Sequence, residues 1–142
     1  MPGSSAGSGA EPARVAQVAA GYAFDGPAVE LGALVEGGTA RPEAAVRIPL
    51  AMVNRHGLVA GATGTGKTKT LQLMAEQLSA AGVPVFLADI KGDVSGVAAP
   101  GEQSDRVSKR AEQTATEWVP TGYPAEFLAL GGLGSGIPYA PR

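Results

Sequence analysis

Residue types and spacing come closest to chemistry in the run Gly61-Ala62-Thr63-Gly64-Thr65-Gly66-Lys67-Thr68. It fits the pattern G-x-x-x-x-G-K-[ST], with Gly61, Gly66, Lys67 and Thr68 in the four specified places. Small residues let a backbone fold tightly around an anion, so that several N–H groups converge on it. A helix starting at the end of such a loop adds the positive end of its dipole. Lys67 supplies a compact charge for the outer oxygens of a polyphosphate. Thr68 supplies a hydroxyl for a magnesium ion that the phosphates also hold. The competing reading is a flexible Gly/Thr loop without a ligand, of the kind a chain with 21 glycines produces readily.

A second candidate is Asp89-Ile90-Lys91-Gly92-Asp93. Two carboxylates and a lysine beside a phosphate loop could bind magnesium or orient a water, which makes Asp89 and Asp93 the candidate catalytic residues and Asp89 a candidate metal ligand. The run Val85-Phe86-Leu87-Ala88-Asp89 also looks like the apolar strand plus Asp that holds magnesium in phosphate-loop enzymes. The plainer alternative is a charged turn, with the Asp89 carboxylate capping the residues just after it.

Positioning these groups takes a strand, a loop, a helix and a second strand. Gly57-Leu58-Val59-Ala60 is a short apolar run that reads as a buried strand. Lys67 to Ala81 contains neither Gly nor Pro and carries Leu71, Met74, Ala75 and Leu78 at helical spacing. Gly82 stands where a left-handed helix cap is expected, and Pro84 comes shortly after. Val85 to Ala88 then reads as a second buried strand, and a strand–helix–strand unit of this length implies a right-handed crossover and parallel pairing. The ligand would sit beyond the C-terminal ends of the strands, where both the glycine loop and Asp89 fall.

The remaining sequence is organised around that unit. Residues 1–13 are Gly, Ser, Ala and Pro with almost nothing to bury, which predicts a disordered leader. Residues 14–50 read as a small β-rich segment: Asp25-Gly26-Pro27 marks a turn, Val29 to Val35 has strand character, and Val46 to Leu50 resembles an edge strand because of Pro49. Asn54-Arg55-His56 reads as a solvated polar turn. Asp105 to Glu117 mixes charge signs, as a solvated helix or loop does. Trp118 and Tyr123 suit packing better than base stacking. Glu126 to Leu130 is a candidate third strand, succeeded by a glycine loop at 131–136 without the Lys-Thr of a phosphate site.

Net charge is −2, so there is no overall basic balance of the kind that binds nucleic acid non-specifically. With no cysteine and a single histidine, disulfides and Cys- or His-based metal centres are excluded. Neither a signal-peptide pattern nor an apolar stretch of membrane-spanning length occurs, so a cytoplasmic location is expected.

The run from Asn54 to Ala98 closely resembles the bacterial HerA-like ATPases, and so do Arg47 to Met52 (RIPLAM) and Glu126 to Pro138 (EFLALGGLGSGIP). That resemblance implies an α/β P-loop NTPase of the FtsK/HerA superfamily: a RecA-like, three-layer α/β/α domain around a mostly parallel sheet, covering residues 51–138 here. It implies ATP and magnesium as cofactors, ATP hydrolysis, DNA as partner for translocation or helicase action, and a homo-hexameric ring for a full-length protein. Carried over by residue, Gly61, Ala62, Thr63, Gly64, Thr65, Gly66, Lys67 and Thr68 become the Walker A loop, with Lys67 on the phosphates and Thr68 on magnesium. The Asp89 to Asp93 segment matches a family hallmark.

The family pattern continues past this point to an apolar strand ending in Asp-Glu, an arginine finger and DNA-facing loops, whereas residues 139–142 diverge from it. The expectation is therefore a truncated product or N-terminal fragment that binds ATP, hydrolyses it poorly alone and does not support a hexamer. Two other readings stand beside it. A small phosphate-loop kinase or GTPase would show an arginine-rich lid or an Asn-Lys-x-Asp motif, and neither stands out. A non-catalytic or unstable fragment would result from a core of four candidate strands and one long helix.

Overall fold

Gly37 and Gly38, at φ 56° and 80°, make a two-residue turn between Glu36 and Thr39 that pair across it. Positive φ at both central residues matches the twist of the flanking strands, and glycine adopts it without steric cost. The computed structural model, which describes residues 10–130 and 136–139, builds its main sheet on this hairpin: β1 (Ala28–Glu36) antiparallel to β2 (Thr39–Pro49). Leu31 is an extra residue on β1, between the pairs Glu30↔Arg47 and Gly32↔Val46, so the strand bulges there. The Arg47 guanidinium donates to the carbonyls of Tyr22 and Phe24 at 3.1 and 3.0 Å and stacks 4.3 Å from the Phe24 ring centre. This ties the segment before β1 to β2.

Three helices surround the hairpin. Helix α1 (Ala10–Gly21) packs on β2, α2 (Lys67–Ala80) packs on β1, and α3 (Asp105–Thr114) also reaches β2. Residues 10–13, read from composition as part of an unstructured leader, belong to α1; residues 1–9 lie outside the described residues. Alanine accounts for the difference: it looks low in information content, yet it is the best helix former. Pro12 falls within the first turn, where its missing N–H has no intrahelical acceptor to lose. The helix also runs through the first part of the segment read as β-rich.

Helix α2 ends as its sequence predicts. Gly82 at φ 77° donates to the Ser79 carbonyl at 2.9 Å, and Val83 donates to the Leu78 carbonyl at 2.9 Å, the two bonds of a Schellman cap. Gln77 fastens this helix to the sheet. Its amide accepts from Glu30 N at 2.7 Å and donates to Glu30 O at 2.8 Å, pairing with the backbone of β1 beside the bulge much as a neighbouring strand would. Among the described residues the buried ones are few and mostly small: Val29, Ala44, Gln72, Ala75 and Ala129.

The expected RecA-like three-layer fold around a mostly parallel sheet is overturned. The sheet that organises the described residues is the two-stranded antiparallel hairpin. Parallel pairing among them is confined to β3 (Leu128–Leu130) with β4 (Ile137–Tyr139), three residues each. The two segments read as buried parallel strands, 57–60 and 85–88, enter no ladder, and Leu58 and Phe86 are 89% and 81% exposed. An apolar run records a tendency to be buried but not the partner strand, and parallel strands need partners in the sheet and helices on both faces. Here α2 spends its packing face on the hairpin instead.

The third strand read from Glu126 to Leu130 is β3, shortened to its last three residues. A Cβ at Gly136 would lie 2.6 Å from the Phe127 carbonyl oxygen, so glycine is what allows β4 to draw alongside β3. The rest of that glycine cluster, 131–135, lies outside the described residues, as do 140–142. Of the solvated helix or loop that the mixed charges of 105–117 allow, residues 105–114 form the helix, α3, with Ser104 accepting from Val107 N at its start. The Trp118 ring lies against Gly101, where an added Cβ would come within 3.2 Å of it.

Candidate functional site

Gly64 and Gly66 stand at φ 80° and 94°, in the left-handed region that glycine enters without penalty. Those two residues turn the chain so that 61–66 forms an exposed loop feeding directly into α2 at Lys67. Inside the loop, Thr65 N and Thr65 Oγ1 both donate to the Ala62 carbonyl, at 3.3 and 2.8 Å. A Cβ at Gly61 would come within 2.6 Å of Thr65 Oγ1, so the loop's entrance is closed to any larger residue while that hydroxyl holds its place. The Lys67 ammonium donates to the same Ala62 carbonyl at 2.7 Å, laying its charge across the loop.

Gly66 occupies the position preceding α2 and offers no side-chain cap. The N–H groups of the first helical turn therefore lack the side-chain acceptor that usually satisfies them. Uncapped N–H groups, a helix dipole and an ammonium held only by a neutral carbonyl suit an oxyanion, because an anion adds charge–charge attraction that the carbonyl does not supply. The residues from Gly61 to Thr68 thus fit a polyphosphate.

Thr68, in the first turn of α2, directs Oγ1 to the Asp93 carboxylate at 3.4 Å. The loop's hydroxyl and one of the two candidate carboxylates are thus brought together. Among the described residues no group of three or more His, Cys, Asp or Glu forms a metal site. Magnesium does not require one, since it commonly takes one or two protein oxygens and completes its shell with phosphates and water. The hard-oxygen pair Thr68 and Asp93, at the helix end of a phosphate-compatible loop, fits that ion.

Asp89 is placed differently. Its carboxylate accepts from Val94 N at 2.9 Å and from Lys91 N at 3.1 Å, closing the turn from 89 to 94, and Ser95 Oγ adds a bond to Gly92 O at 2.9 Å. The Val94 N–H bond chiefly holds the Asp89 carboxyl below the usual carboxylate range; Gly92 and Lys91 N–H groups and the Asp93 side chain assist, against an opposing desolvation. This is the turn-capping role that the sequence leaves open for it. Lys91 is exposed, and Asn54, Arg55 and His56 lie in an exposed turn before the loop.

Sequence reasoning passed over Gln72. The apolar spacing of α2 predicts that Leu71, Met74, Ala75 and Leu78 line its inner face, yet Leu71 is exposed while Gln72 is only 7% exposed. Gln72 Nε2 donates to the Asp93 carbonyl at 2.8 Å. A signal was present in the sequence: Gln72 and Gln77 lie between Leu71 and Leu78, interspersed with the apolar positions of α2, and both hydrogen-bond to backbone groups beside the helix.

Compared with known proteins, the chain matches the family described as helicase HerA-like C-terminal over residues 35–140. No curated protein and no solved structure matches it. The match spans most of the sequence, including the loop, the Asp89–Asp93 turn and both short strands. The chain belongs to the helicase HerA-like C-terminal family. Among the described residues, no helix is long and apolar enough to cross a membrane.

Proposed function

We propose that this member of the HerA-like family binds ATP with magnesium at Gly61 to Thr68, as the nucleotide-binding part of a DNA translocase or helicase-type motor. The observation that carries the reading is the exposed glycine loop opening onto the uncapped start of α2, with the Lys67 ammonium laid across it. Lys67 exchanges the Ala62 carbonyl for oxygens of the outer phosphates. The N–H groups at the start of α2 meet the same anion along the helix dipole. Thr68 presents its hydroxyl to magnesium, which neutralises phosphate charge when bound. Asp89 is engaged in its own turn and Asp93 stands against Thr68, so these residues bind and orient, and neither is assigned as the base that activates water. DNA as the partner, and assembly with further copies of the chain, are part of the proposal; the helicase in the family description supports the first.

The test is calorimetric titration of ATP with magnesium into the wild-type chain and into Lys67→Ala. Loss of charge-assisted hydrogen bonds, about 1.5–3 kcal/mol, corresponds to an affinity lower by about ten- to more than a hundredfold. Equal affinity in the two proteins would remove the basis for the reading. Titration with GTP alongside separates an adenine-preferring site from a GTPase-like one.

A further inference from the structure

Gln72 is the most buried polar side chain in the neighbourhood of the loop, and burying an amide is costly unless it is hydrogen-bonded. Its Nε2 spends one N–H on the backbone carbonyl of Asp93, a residue 21 positions further along the chain. Thr68 and Gln72 are four apart on α2, so they sit one above the other on the same face. Asp93 is consequently held to that face at two points. Its carbonyl rests on Gln72 at 2.8 Å, and its carboxylate meets the Thr68 hydroxyl at 3.4 Å. The turn that carries Asp93 is fixed internally by the Asp89 carboxylate, by Ser95 and by Gly92 at φ 75°.

The direction of the Thr68 bond has a chemical consequence. A hydroxyl has one proton and two lone-pair sites, and a cation binds only at a lone pair. With its proton turned toward Asp93 at 3.4 Å, Thr68 Oγ1 leaves its lone pairs for a cation. Left free, the hydroxyl would rotate among staggered positions, including those that point the proton at the cation. Groups that hydrogen-bond to a metal's ligands and hold their orientation commonly set metal affinity, and their removal costs about 10–100-fold.

We infer that Gln72 is a positioning residue for the cation that accompanies the nucleotide: by holding the Asp93 backbone it keeps the Asp93 carboxylate on Thr68 and so orients the Thr68 oxygen for magnesium. The inference rests on the ATP reading above and adds a residue and a role to it. It also separates the two functions of the loop. Phosphate contacts come from Lys67 and the N–H groups and do not pass through Gln72, whereas cation affinity does.

The experiment uses the full chain and measures two affinities in each protein: ATP with magnesium chelated, and Mn2+ with ATP saturating, monitored by electron paramagnetic resonance of the free ion. Gln72→Met keeps the unbranched shape and helix propensity but removes the donor. It is expected to leave magnesium-free ATP affinity within about twofold while weakening Mn2+ binding by about 10–100-fold. Asp93→Ala retains the backbone carbonyl that Gln72 holds but removes the acceptor for Thr68 Oγ1, so it should weaken Mn2+ to a similar degree, and the double variant should lose no more than either single one. Equal loss of both affinities in Gln72→Met, or unchanged Mn2+ binding, overturns the inference, as does a double variant whose losses simply add. Failure of the wild type to bind ATP at all overturns the nucleotide reading itself, and this inference with it.

Discussion

Substituting Gly61 by alanine tests the loop's geometry most directly. The new Cβ would stand 2.6 Å from Thr65 Oγ1, inside any tolerable contact, whereas Thr65 Cβ at 3.5 Å and Lys67 Cγ at 3.8 Å are ordinary neighbours. The hydroxyl must therefore move, and moving it breaks the 2.8 Å bond to Ala62 O. A lost hydrogen bond of this kind contributes about 0.5–1.5 kcal/mol. Pushing the Thr65 side chain off its rotamer adds about 0.5–1.5 kcal/mol, or less if a second rotamer is open. Together these come to about 1–3 kcal/mol, an affinity for ATP with magnesium lower by about five- to 150-fold if the ligand requires the present loop. Removing the obstacle should restore only the steric part of the loss, because Gly61 stands at φ 159°, where any side chain strains the backbone: Gly61→Ala combined with Thr65→Ala is expected to bind better than Gly61→Ala but more weakly than Thr65→Ala alone. Calorimetry on the four proteins of this cycle provides the comparison, with thermal unfolding as a control that should barely move because the loop is exposed. A double variant no better than Gly61→Ala would refute the steric argument, since the hydroxyl would then not be what the alanine meets.

Two further expectations concern the scaffold. Gln77→Leu deletes both bonds to the Glu30 backbone at an exposed position where water can replace them, so denaturant unfolding should show a loss of about 1–2 kcal/mol; an unchanged midpoint would mean that the amide does not hold α2 to the hairpin. Asp89 has a lowered folded pKa, so its contribution is fully present above the unfolded value of about 3.9 and disappears as pH falls through the lower folded value. Wild type should therefore lose order around residues 89–94 below about pH 4, by amide exchange of Val94, whereas Asp89→Asn should exchange faster at neutral pH and show no such acid step; matching pH profiles would count against the cap.

Local elements were legible in proportion to how local their causes are. The Schellman cap at Gly82 and the strand at 29–35 arise from neighbouring residues and stand where the sequence places them, whereas the strand read at 46–50 is the end of a longer one, Thr39–Pro49, and the run read as helix or loop from 105 is a helix to Thr114. The helix of 10–13 was hidden because alanine-rich sequence serves equally as linker and as helix. The parallel sheet failed for a different reason. Leu58 and Phe86 belong to apolar runs, but periodicity is silent about which strand lies beside which, and in this fold α2 faces the antiparallel hairpin.

For the candidate site the same division holds. The order of Gly61, Gly66, Lys67 and Thr68 placed, from the sequence alone, a glycine loop at the start of a helix, because the turn and the helix that succeeds it are set by adjacent residues. Only the tertiary structure decided that Asp93, rather than Asp89, meets Thr68, and that Gln72 is the side chain holding it there. Those contacts join residues more than twenty positions apart. Their geometry depends on how the 89–94 turn folds back onto α2, which no spacing within either segment specifies.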